Sequence, residues 1–72
     1  MPTVVKYRVP NISCGHCVMK IEHAVGDLDG VVEVHADLRS KTVEVVFDAP
    51  TTEDEIVRTL AEIHYPVAER LN

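Results

Sequence analysis

The sequence predicts one α+β domain with the element order βαββαβ, a four-stranded antiparallel sheet with two helices on one face. Two observations carry that prediction. Apolar residues switch between a period of two and a period of three to four in that order along the chain. Proline, glycine, asparagine or aspartate stands at most of the switches. At 72 residues the chain is a single domain spanning 1–72, and a hydrophobic share of 46% suffices for a compact core without staples.

Val5, Tyr7 and Val9 alternate with Lys6 and Arg8, a half-buried strand that Pro10 and Asn11 stop. From Cys14 the spacing changes. Val18, Ile21, Val25 and Leu28 mark one face of a helix, broken by Gly26, Asp27, Asp29 and Gly30. Val32, Val34, Ala36 and Leu38 then alternate, followed by a turn at Arg39-Ser40-Lys41 and a second alternating run through Val43, Val45 and Phe47. That pair is a β-hairpin. Pro50 and Thr51 open a second helix with Thr52 and Glu55 spaced as a capping box, Glu53 and Asp54 in its first turn, and Ile56, Leu60 and Ile63 as its buried stripe. Pro66 forbids continuation, and Val67-Ala68 form a short last strand at the sheet edge. This is the ferredoxin-like plan.

Composition removes several functions. The net charge of −5 argues against a nucleic-acid surface, which needs clustered Lys and Arg. RNA binding on such a sheet also needs exposed aromatics, whereas Tyr7 and Phe47 are in phase with the core. The acidity suits solubility, or docking on a partner's basic patch. No apolar run approaches membrane-spanning length, and the N-terminus has no signal-peptide core, so direct membrane insertion is not expected and the compartment expected is the cytosol.

The chemistry lies in Asn11-Ile12-Ser13-Cys14-Gly15-His16-Cys17, which holds both cysteines of the chain where the first strand hands over to the first helix. The free N–H groups of a helix start favour negative charge, biasing both thiols toward thiolate. So placed, they can grip one soft metal ion or form one disulfide. A bridge would close too small a loop to staple the fold, and neither thiol is expected to anchor the core. Cys-Gly-His-Cys is also the active-site spelling of thiol–disulfide oxidoreductases, the alternative reading. Against it, no tryptophan precedes Cys14, the chain has none at all, and the hairpin follows the first helix at once.

Together, these elements, the run Ser13-Cys14-Gly15-His16-Cys17-Val18, the turn Leu28-Asp29-Gly30-Val31 and Tyr65 before the last strand resemble the heavy-metal-associated domain in its single-domain metallochaperone form. The resemblance implies a carrier rather than an enzyme. It implies Cu(I) held between Cys14 and Cys17 and passed by ligand exchange to a copper-transporting P-type ATPase or a similar acceptor domain; some relatives handle Hg(II), Zn(II) or Cd(II). A monomer is expected without metal, with a metal-bridged homodimer as the other state. The chemistry agrees: thiolates are soft ligands suited to Cu(I), whereas zinc wants four ligands.

The chain departs from the family pattern in the loops. Asn11-Ile12 replaces the usual Gly-Met, and Ile12 is expected to keep the buried anchoring role. His64 replaces the usual glycine before the aromatic, and Pro66 follows Tyr65. Because that loop lies beside the metal loop in the family, His64 is the candidate third ligand and Tyr65 a candidate shield. His16 is expected to tune the thiols at most, His23 and His35 to be surface residues, and Met19 and Lys20 to offer partner contacts.

Overall fold

A computed structural model describes residues 1–72 and orders the elements as β1 (Thr3–Arg8), α1 (Gly15–Gly26), β2 (Val31–Asp37), β3 (Thr42–Phe47), α2 (Glu53–Glu62) and β4 (Glu69–Arg70). The strands form one sheet in the order β2-β3-β1-β4, every neighbouring pair antiparallel. One parity of β1 and β3 (Val5, Tyr7, Val43, Val45 and Phe47) meets Ile21 and Val25 of α1 and Ile56 and Leu60 of α2 in a single core. Each fully buried aliphatic contributes about 1.5–3 kcal/mol, so this shared face holds both helices to the sheet. Tyr7 keeps its polar end satisfied: its hydroxyl donates to Glu53 Oε1 at 3.0 Å, and Arg70 pairs with the same carboxylate. Burial, and then Glu53, push its phenol well above the ordinary range.

Local chemistry explains the boundaries. Thr52 caps α2, its hydroxyl accepting from the Glu55 N–H at 3.3 Å. Only this half of the expected capping box forms. Gly30 joins α1 to β2 at φ +100, and an added Cβ would lie 2.2 Å from the Asp48 carbonyl oxygen, so a side chain is excluded there on both counts.

Two strand assignments need correction. In β2 the pairing slips between Val31, opposite Phe47, and Glu33, opposite Val46. The extra residue reverses the phase. Val31, Val34 and Ala36 pack on the core, while Val32 is exposed and Leu38 lies exposed in the turn beyond the strand. The last strand begins at Glu69 rather than Val67. Pro66 has no N–H to offer, half-buried Val67 packs against the core, and the Ala68 N–H donates to the Arg8 carbonyl before the ladder starts.

Candidate metal centre

β1 delivers the chain to the site through the loop 10–13. Ile12 is fully buried there, as the sequence requires, and its N–H donates to the Val9 carbonyl at 3.2 Å. A buried side chain in mid-loop holds the backbone that follows. Cys14 is the N-cap of α1 in extended conformation, exposed, with no side-chain cap bond. No acidic residue occupies the first turn, so nothing from the side chains neutralises the positive end of the helix. One turn on, Cys17 brings its Sγ to 3.3 Å from that of Cys14. Both thiols are free, and the separation is too long for a disulfide.

Cys17 corrects the sequence reading in two ways. It is only 6% exposed and begins the buried face of α1, with Ile21 and Val25 following at four-residue intervals; Val18, the expected start, is half-buried. One thiol therefore does belong to the core. Its thiol is also lowered from 9.0 to about 6, first by the Tyr65 hydroxyl, then by the backbone of Ser13 and the Cys14 thiol. The leading cause is thus a phenol from another loop rather than the helix start. The contact is reciprocal, since Cys17 raises Tyr65 above the ordinary phenol range.

Tyr65 reaches the site because of how α2 ends. The Tyr65 N–H donates to the Leu60 carbonyl at 2.8 Å and the His64 N–H to Ala61 at 3.1 Å, the paired bonds of a Schellman turn. That turn demands a left-handed residue, and His64 supplies it at φ +72. Asn11 Nδ2 donates to the His64 carbonyl at 3.1 Å and ties the two loops together. His64 itself is exposed, and nowhere do three His, Cys, Asp or Glu side chains gather to hold a metal. The structure therefore does not bring His64 to the cysteine pair. Its position serves the turn, and the next residue is the one presented to sulfur.

His16, Met19, Lys20, His23 and His35 are all exposed. Ser13 was missed as a site residue although it adjoins the motif: its hydroxyl lies 3.9 Å from Cys17 Sγ. No helix is long and apolar enough to cross a membrane.

A profile described as the heavy-metal-associated domain matches residues 6–66. The chain is 45% identical to the COP-associated protein of Helicobacter pylori J99, over 81% of this chain and 88% of that one. It is 40% identical to the copper chaperone CopZ of Bacillus subtilis 168, over 86% and 91%. It is also 36% identical to a segment making up 8% of a probable copper-exporting P-type ATPase of Archaeoglobus fulgidus, over 86% of this chain. The solution structure of apo-CopP from Helicobacter pylori superposes with a TM-score of 0.83 at 39% identity, covering 92% of this chain and all of that one.

Proposed function

The chain belongs to the heavy-metal-associated domain family, and on that premise we propose that it is a cytosolic metallochaperone, binding Cu(I) through Cys14 and Cys17 and handing it to an acceptor. The observation that carries this reading is the pair of free sulfurs 3.3 Å apart at an exposed helix start. Two thiolates suit a soft d¹⁰ ion. With metal–sulfur bonds of about 2.3 Å, a near-linear site needs the sulfurs to open by roughly 1 Å. Cys17 is packed and Cys14 exposed, so the opening falls to Cys14. Cys17 becomes the fixed ligand and Cys14 the arm that an incoming thiolate displaces first.

A site so open favours transfer over storage. Zn(II) asks for four ligands and would have to recruit the thiols of a second copy. Kinship with a segment of a probable copper-exporting P-type ATPase supports an acceptor of that class, and likeness along most of both chains to the copper chaperone CopZ supports a carrier. Competition of the reduced chain against a chromogenic Cu(I) chelator, run in parallel with Zn(II), tests the assignment. One Cu(I) per chain is expected, with most of the affinity lost in Cys14→Ser and in Cys17→Ser. Tight binding retained by either variant overturns it.

A further inference from the structure

We propose that Lys41 is a positioning residue for the thiol pair, its ammonium reaching from the β2–β3 turn to clamp the loop that carries Cys14. The inference rests on the Cu(I) reading above. Lys41 Nζ donates to the Ile12 carbonyl at 2.7 Å, across 29 residues of sequence. The Lys41 carbonyl in turn accepts from the Val9 N–H at 2.8 Å. A single residue thus grips both ends of the short segment that leaves β1 for the site.

The backbone of Lys41 carries independent weight. It sits at φ +56, a left-handed conformation in which a side chain is disfavoured and glycine is the usual solution. Strain of this kind persists where the surroundings over-determine it, and it clusters at functional sites. Here the side chain that strains the turn is also the one that reaches the loop. Nor is the ammonium engaged elsewhere: the ion pairs of the molecule use the Met1 amino group, Arg8, His35 and Arg70.

What the clamp supplies follows from how the two sulfurs are held. Cys17 is fixed by the core, whereas Cys14 is exposed and uncapped. At most about 7 Å of chain separates Ile12 from Cys14. Burial fixes the Ile12 side chain and Lys41 fixes its carbonyl, so the peptide leading to Cys14 leaves in one direction. Ordering in the free protein reduces what the metal must impose on binding.

Lys41→Met removes the ammonium while keeping the Cβ and most of the stem; Lys41→Arg restores a donor. Two readouts separate positioning from stability. One is Cu(I) affinity by chelator competition. The other is amide hydrogen exchange of residues 13–16 in the metal-free chain, with β3 amides as the internal reference. Lys41→Met should weaken Cu(I) binding about three- to tenfold and speed loop exchange by a similar factor, leaving β3 exchange unchanged, and Lys41→Arg should recover most of both. Wild-type affinity and loop exchange in Lys41→Met would overturn the proposal, as would equal acceleration in β3. A wild-type chain that fails to bind Cu(I) defeats the cargo reading instead, and the metal-free exchange then decides the clamp.

Discussion

Cys17 is buried like a core valine and yet holds its sulfur 3.3 Å from a second thiol, with a phenol beside it. That combination sets its proton chemistry. An ordinary thiol value of 9.0 falls to about 6 in the fold, chiefly through the Tyr65 hydroxyl. Between those limits the unfolded chain keeps a proton that the folded chain has released, so stability rises with pH across the window. The contribution is complete above 9.0 and is lost as pH falls through about 6. Thiolate absorbance of the reduced, metal-free chain should therefore show one thiol titrating near 6. Tyr65→Phe should move that midpoint upward and flatten the pH dependence of stability. An unmoved midpoint would remove Tyr65 as the cause.

Among the elements, the end of α2 is the most instructive. His64 occupies the left-handed position of a Schellman turn, where a non-glycine residue costs about 1–2 kcal/mol. His64→Gly should stabilise the domain by about 1 kcal/mol, read by chemical denaturation, and leave Cu(I) affinity unchanged. A drop in affinity in that variant would restore His64 as a ligand. From sequence a histidine in this loop reads as a candidate third ligand; the backbone conformation shows that position 64 also has a part in ending α2. The bulge in β2 is of similar kind. Val32 follows the alternation of its strand on paper, and a single inserted residue turns it outward.

For the molecule as a whole, core and site are one structure. Ile12 and Cys17 belong to the same buried cluster as Val5, Val45 and Leu60, so a change beneath the loop is felt at the sulfurs. Ile12→Ala should lower stability by about 2–5 kcal/mol and loosen Cu(I) binding as well, the two being measured by denaturation and by chelator competition. Unaltered affinity in a folded Ile12→Ala protein would show that the loop keeps its shape without its anchor. Cys14→Ser and Cys17→Ser should part company in the same experiments: both lose metal, but only Cys17→Ser disturbs packing.

Periodicity and punctuation sufficed for the βαββαβ order, for the buried faces of β1, β3 and α2, and for the position of the thiol pair at a strand–helix junction. These features are local. Each depends on residues within a turn or a strand of one another, and the apolar spacing states them directly. What depended on distant contacts was invisible. That Tyr65 meets sulfur follows from how α2, far downstream of the motif, terminates, and that Lys41 reaches the Ile12 carbonyl follows from the β2–β3 turn lying beside the loop after β1. The membership of Cys17 in the core was hidden for a different reason. A cysteine reads as ligand or as small hydrophobe with equal ease, and only its burial in one cluster with Ile21, Val25 and the sheet residues shows that it is part of the core.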